Sequence, residues 1–301
     1  MPPMCRFLLF FVLNLIPLGA IAQMKTPFVS YDFKKDAQYS SKLTALKKAE
    51  IKGGMANTKS IAAWAYDHKD WDTAIDYYEK LIVDAPTAEN FFKLGVAAAR
   101  RSLEVSRFFS VPYVIKARKF VLKAHELQPH QIVCLNLLIQ LYAEIPDILG
   151  GSMTFAQKKA TELTRIDPIE GMLMKAYLFQ LNNETEAAIN QYRELFRTLK
   201  ADIKKLENGF LSYRRDLIFE LGRAAAEYQL ESELGIAALD YYILDFSDED
   251  NYPLEWAYYY RSKIYFYNDQ LEKAKTSLKQ ALEIKPDFEE GLALLKVIKL
   301  E

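Results

Sequence analysis

Glycine and proline, the residues that most often interrupt helices, are scarce in this chain, with 11 of each in 301 residues. The chain also has almost no net charge, because 39 Lys and Arg balance 40 Asp and Glu and leave a formal charge of -1. Without a positive excess, the chain has no field to attract phosphate backbones or an anionic membrane. The composition therefore favours a helical globular protein and argues against nucleic-acid binding.

Residues that bind metals or act as nucleophiles are few. The three histidines are His68, His125 and His130. None has metal-ligand spacing to another His, a Cys or paired acids, and His125 and His130 are expected at the surface. Cys134 lies in the apolar run 132–135, where a buried inert thiol is expected. Phosphate-binding glycine loops and serine-elbow motifs are absent from the sequence, which predicts no catalytic residues, no metal, no cofactor and no enzymatic activity.

An acidic run at residues 245–251 interrupts the helical pattern. We expect a solvated loop there, which is the usual role of a short charged run. A calcium site is the alternative interpretation. The run lacks the glycine and the distal glutamate of an EF-hand at the required spacing, which disfavours calcium.

The N-terminal residues have the pattern of a signal peptide. Arg6 precedes an apolar stretch at 7–18, and the small residues Ala20 and Ala22 follow at the positions that a signal peptidase recognises. We therefore predict a signal peptide at 1–22, cleavage before Gln23, and a periplasmic or secreted protein without a membrane span. An uncleaved membrane anchor is the alternative, but the apolar stretch is shorter than the roughly 20 residues that a bilayer requires.

One pattern recurs along the chain: an alanine, an apolar residue four positions later, another three later, and a proline five beyond that. Four segments share all these offsets: Ala74, Tyr78, Leu81 and Pro86; Ala117, Val121, Ala124 and Pro129; Ala156, Ala160, Leu163 and Pro168; and Ala274, Leu278, Ala281 and Pro286. The alanine lets two helices approach closely, the apolar residues continue the buried stripe, and the proline ends the helix. Segments at Ala188 and Ala238 continue the pattern without its proline, so about six helix pairs are expected.

Leu-Gly pairs at 94–95 and 221–222 precede two of these segments. With these residues the chain resembles the tetratricopeptide repeat (TPR) family, whose unit of 34 residues is a pair of helices. The resemblance implies an all-α fold, a right-handed α-solenoid of about six TPR-like helix pairs with a C-terminal capping helix. It also implies a non-enzymatic scaffold for protein–protein interaction, which export would place in the cell envelope.

The predicted organisation follows from the repeat register. Residues 1–22 are the signal peptide, 23–54 an N-terminal lead or helix, 55–288 the repeats and 289–301 the capping helix. The six repeats are expected at approximately 55–87, 88–131, 132–168, 169–207, 213–250 and 255–288.

Two units depart from the spacing of the family. At residues 101–112, the second unit has 22 residues between its first-helix glycine and its second-helix alanine, where the family has about 12, which predicts an inserted loop or a helix extension. The third unit has extra residues at 145–153. Both insertions fall between the helices of a unit, so we expect them to project together, either to bind a partner or to pack against each other. The second helix of unit four is expected to run from Glu184 to about Leu206.

In TPR solenoids the first helices line a concave groove that usually holds extended peptides, so the resemblance implies a binding groove here. The repeat register selects its residues: Trp256, Tyr259, Lys263, Phe266, Tyr267, Phe219, Arg223, Glu227, Tyr177, Gln180, Asn136 and Gln140. Aromatic rings with Arg and amides bind partners strongly when exposed, whereas packing between units is the alternative for each ring. The Lys-Asn-Asn-Lys-Arg clamp with which some relatives hold a peptide carboxylate is not reproduced.

The expected partner is another envelope protein or an extended peptide. The alternative function is binding of a small solute in an aromatic pocket formed by repeats five and six. An open groove several units long would favour a peptide, and an enclosed apolar cavity would favour a small ligand.

Overall fold

A computed structural model describes residues 32–53, 55–203, 210, 213–247 and 249–298. These residues form fourteen α-helices and no β-strand, which confirms the prediction of an all-α helical solenoid. The predicted signal peptide and its cleavage site lie outside the described residues.

Helix α1 (Ala37–Gly53) precedes six pairs of helices. The first helices of the pairs are α2 (Met55–Asp67), α4 (Ala88–Glu104), α6 (Ile132–Glu144), α8 (Pro168–Leu181), α10 (Arg215–Tyr228) and α12 (Leu254–Tyr267). The second helices are α3 (Trp71–Asp84), α5 (Arg107–Leu127), α7 (Met153–Ile166), α9 (Thr185–Ile203), α11 (Ser232–Leu244) and α13 (Leu271–Ile284). The last helix, α14 (Glu289–Ile298), packs against the sixth pair.

Side-chain caps begin several of these helices. Asp70 accepts a hydrogen bond from the Thr73 amide (3.2 Å) at the start of α3, and Ser152 caps α7 in the same way (3.2 Å). Asp167 accepts from two amides at the start of α8, whose first residue is Pro168. Pro168 has no amide hydrogen, so it can begin α8 without leaving a donor unsatisfied. For the same reason it cannot continue α7, which ends at Ile166.

The repeated alanines lie at the crossings of paired helices. Ala74, Ala117, Ala156 and Ala274 have no exposed surface. In the sixth pair, the Ser262 hydroxyl donates to the carbonyl oxygen of Ala274 over 2.8 Å, so the two backbones approach closely. The repeated alanines of the sequence pattern therefore mark the positions at which the paired helices contact each other.

The first insertion lengthens both helices of the second pair. Helix α5 begins ten residues before Ala117, whereas α13 begins three residues before the equivalent Ala274. The difference extends α5 by about 10 Å at 1.5 Å per residue, and the end of the extension carries Phe108 and Phe109, which are 77% and 71% exposed. We call the extended ends of α4 and α5 the projecting hairpin.

The second insertion forms a 3-10 turn, Asp147–Leu149, followed by Gly150 in the left-handed conformation at φ 89°. The Gly150 carbonyl accepts a hydrogen bond from the Arg118 side chain (2.8 Å), in the middle of α5. The second insertion therefore contacts α5 eleven residues after its start. The long second helix of unit four is present as α9, and its expected end near Leu206 lies outside the described residues.

Candidate binding site

Consecutive first helices contact each other, α6 with α8 and α10 with α12. We call the side of the solenoid that the first helices form the inner face. Of the predicted groove residues, Tyr259, Lys263 and Tyr267 of α12 remain accessible there; Tyr267 is 44% exposed and the other two are half-buried. They lie on one side of α12 because residues four apart are one helical turn apart. We call these three residues the α12 patch. Phe266, the neighbour of Tyr267, instead packs toward α14.

Lys263 lies between the two tyrosine rings of the patch. Its Nζ is 5.7 Å from the ring centroid of Tyr259 and 6.0 Å from that of Tyr267. Burial lowers the pKa of Lys263, while the charge of Glu227 opposes this shift, and burial raises the pKa of Tyr259 to about 12. Within the described part of the chain Lys263 forms no salt bridge. A partly dehydrated ammonium group beside two ring faces is suited to bind a carboxylate or carbonyl oxygen of a ligand.

Three other predicted rings belong to the core. Trp256 is buried and packs edge-on against Phe288, with 4.9 Å between ring centroids. Phe219 is fully buried. Tyr177 is buried and donates a hydrogen bond to Glu144, a carboxyl group whose pKa is raised by burial. These rings hold neighbouring units together, as the packing alternative for each ring anticipated.

Arg223 connects three helices through its guanidinium group. Nε donates to Glu220 (2.7 Å) and Nη1 to Glu227 (2.7 Å) within α10, while Nη2 donates to Tyr192 of α9 (3.0 Å) and Gln180 of α8 (3.3 Å). Because the guanidinium group makes these four hydrogen bonds within the protein, Arg223 is not available to a ligand. We infer that Arg223 and Gln180 support the inner face and that Glu227, at its exposed edge, is the member of this network available to a ligand.

A second polar network runs along the inner face further toward the N-terminus. Asn136 of α6 is buried and donates to Glu170 of α8 (3.0 Å). Arg214 donates to the same carboxylate through two nitrogens, at 2.6 and 2.7 Å. A bidentate pair of this kind fixes α8 relative to the start of α10. Gln140, one turn after Asn136, is half-buried on α6.

The expectation of a solvated loop at 245–251 is wrong for its C-terminal part. Asp250 is buried, and Arg215 binds its two carboxylate oxygens at 2.5 and 2.8 Å. The connection from α11 to α12 is nine residues long, 245–253, whereas the connection 85–87 from α3 to α4 is three. The extra length lets the loop turn back onto the inner face.

The residues after Asp250 span the inner face, which the sequence analysis missed. Asn251 accepts a hydrogen bond from Arg100 of α4, 151 residues away in the chain, and donates to Asp216 of α10 at 2.8 and 2.9 Å. Tyr252 stacks on Phe219 with 4.3 Å between centroids and an interplanar angle of 13°. The only sequence signal was the unusual length of the connection.

Two of the chemically reactive residues can be compared with their predictions. His125 is buried rather than exposed, because the end of α5 packs against α7, where the Nζ of Lys159 lies 2.8 Å from its Nε2. Burial lowers the pKa of His125, and the charge of Lys159 adds to this effect. Cys134 is buried as predicted, and burial raises its thiol pKa to about 12.

Among the described residues, no group of three or more His, Cys, Asp or Glu side chains could hold a metal ion. In the same ranges, no helix has the length and apolar character needed to cross a membrane. Two surface depressions, of about 640 and 570 Å³, lie beside Tyr77 of α3 and at the start of α9. Neither includes an aromatic residue of repeats five and six, so neither supports the small-solute alternative.

Two segments of the chain match models of a known protein family. Models described as tetratricopeptide repeat match residues 61–88 and 256–288, which lie in the first and the last helix pair. In these two segments the chain carries tetratricopeptide repeats. No curated protein sequence matches the chain.

The chain is also similar to solved structures. A TPR protein from Parabacteroides merdae has 14% identity and a TM-score of 0.51, with 89% of this chain and 95% of that one covered. YrrB, described as a TPR protein with an unusual peptide-binding site, has 16% identity and a TM-score of 0.39, with 73% and 97% covered. Yeast Tom70 has 12% identity and a TM-score of 0.47, with 87% of this chain but 58% of Tom70 covered. The Parabacteroides protein shows that the solenoid fold is shared.

Proposed function

We propose that this TPR chain is an exported, non-enzymatic scaffold that binds an extended peptide or another protein of the cell envelope on its inner face. TPR proteins are in general non-catalytic interaction scaffolds, which supports this class of function. The export part of the proposal rests on the signal-peptide pattern at residues 1–22.

The position of Lys263 carries the proposal. Its ammonium group is partly buried between two tyrosine rings, has lost part of its hydration, and has no salt bridge within the described residues. A carboxylate of a partner would replace the hydrogen bonds to water that the Lys263 ammonium group has lost through burial. The rings of Tyr259 and Tyr267 would at the same time cover an apolar side chain of the partner.

Replacing both patch tyrosines tests this site. The purified chain from Gln23 onward would capture partners from the envelope fraction of its own host, with wild type compared against a Tyr259→Ala, Tyr267→Ala variant. We expect at least one partner to bind the variant more weakly, by about 2 kcal/mol, which is typical of two interface aromatics. The variant should keep its helical content, because Tyr267 is on the surface and Tyr259 is half-buried.

A second variant separates the α12 patch from the other exposed aromatic surface. Phe108→Ala, Phe109→Ala removes two rings from the projecting hairpin without touching α12. The proposal expects this variant to capture the same partners as wild type. If it loses them while the patch variant retains them, the inner-face proposal is wrong and the hairpin is the binding surface.

A further inference from the structure

The residues Asp250–Tyr252, which we call the plug, contact the inner face through both side chains and backbone. Asn251 connects Arg100 of α4 to Asp216 of α10. Tyr252 places its ring on Phe219 of α10, and its carbonyl accepts a hydrogen bond from the Tyr242 hydroxyl at 2.7 Å. A side-chain amide, an aromatic ring and a backbone carbonyl are the groups through which an extended peptide is recognised in a groove.

The face beneath the plug has the character of a binding surface. Arg100 and Asp216 carry opposite charges, which match the two ends of an amide dipole. The Phe219 ring provides a flat apolar surface for a second ring at the stacking distance of 4.3 Å. Arg100 is half-buried, and this burial lowers the pKa of its guanidinium group.

We propose that the inner face between α4 and α10 is a second peptide-binding surface that the plug occupies in the free protein. The partner would be an extended peptide in which an asparagine or another amide side chain precedes a tyrosine. This inference rests on the proposed function, which is binding of peptides by the inner face. It adds the residue types that the partner peptide would contain, and it adds competition between that peptide and the plug. Because the plug is tethered, it competes at a high effective concentration and keeps the affinity of the free protein low.

Opening the site tests the inference. In the open variant, Asn251→Gly, Tyr252→Gly, the loop keeps Asp250 and its pairing with Arg215 but loses the groups that cover the inner face. The matched control is Glu249→Ala, which removes an exposed side chain of the same loop and leaves Arg215 and its partners in place. The probe is a fluorescein-labelled peptide with blocked termini and the sequence Glu-Asp-Asn-Tyr-Pro-Leu, and binding is measured by fluorescence anisotropy.

We expect the open variant to bind this peptide about tenfold more tightly than wild type or the control, because the competing plug is gone. Adding Arg100→Ala should reverse the gain, as should a peptide with alanine in place of tyrosine. A folded open variant that binds no more tightly than wild type would overturn the inference, and so would equal binding of the alanine peptide.

Two further measurements keep the result interpretable. If the open variant loses its helical signal, the milder Asn251→Ala keeps the Tyr252 ring, and it must still bind the peptide more tightly than wild type. Adding Tyr267→Ala to the open variant should leave the affinity unchanged. A loss of affinity there would place the peptide on the α12 patch and contradict the second surface, whereas failure of envelope capture would bear on the α12 patch alone.

Discussion

Single side chains decide which parts of the inner face are available to a ligand. Arg223 and Lys263 are both cations of the predicted groove, but the four hydrogen bonds of Arg223 go to its own chain whereas Lys263 has tyrosine rings as neighbours. The repeat register predicted the helix face of both residues. It could not predict their partners, because Gln180 and Tyr192 come from other helices.

His125 makes stability depend on pH. Its folded-state pKa lies below the usual 6.5, chiefly because of burial, so the unfolded chain binds the proton more readily. The stability that neutral His125 provides is complete above pH 6.5 and is lost as the pH falls from 6.5 toward the folded-state pKa. We therefore expect the urea midpoint of wild type to decrease between pH 8 and pH 5.

The variant His125→Gln should show a smaller decrease over the same pH range, because it has no proton to bind there. His130→Gln is the matched control, since His130 is exposed at the same helix end. A His125→Gln variant with the pH dependence of wild type would show that His125 does not contribute to it.

At the scale of the helices, packing within each pair could be predicted, and packing between pairs could not. The buried alanines and the prolines that end helices act locally, so their spacing was sufficient to locate the pairs. His125 is buried because α7 packs against the end of α5, and the repeat pattern of one unit contains no information about this contact. The same pattern does not say whether the residues inserted at 101–112 extend the helices α4 and α5 or form a loop.

Ala274→Leu tests the crossing of α12 and α13. Ala274 has no exposed surface, and its carbonyl is 2.8 Å from the Ser262 hydroxyl, so a larger side chain must push the helices apart. We expect the free energy of unfolding to fall by about 1 to 3 kcal/mol, measured by urea denaturation. The control Thr276→Leu, at an exposed position of α13, should change it little. Equal effects of the two substitutions would mean that the assigned register is incorrect.

In the whole molecule, the six helix pairs could be predicted from the repeated sequence pattern, whereas the contact of the plug with the inner face could not. The hydrogen bond between Arg100 and Asn251 joins residues 151 positions apart, and only the curvature accumulated over several repeats brings them together. For the same reason the α12 patch could be named from the register, whereas the plug could not.

Export is a property of the whole chain with a direct chemical test. The signal-peptide pattern predicts that the mature protein begins at Gln23, since Ala20 and Ala22 are small residues at the positions that a signal peptidase recognises. N-terminal sequencing and intact mass of protein from its native host should both show this start. A mass that includes Met1 to Ala22 would refute cleavage and favour the alternative of a retained anchor.

Photo-crosslinking in cells shows whether the inner face at α12 binds the partner. Benzoylphenylalanine would replace Tyr267, which is exposed in the α12 patch, or Val83, which is exposed on the second helix α3, and cells producing each protein would be irradiated. We expect an adduct of one defined mass from position 267 and none from position 83. An adduct at 83 without one at 267 would mean that the partner does not bind the inner face at α12.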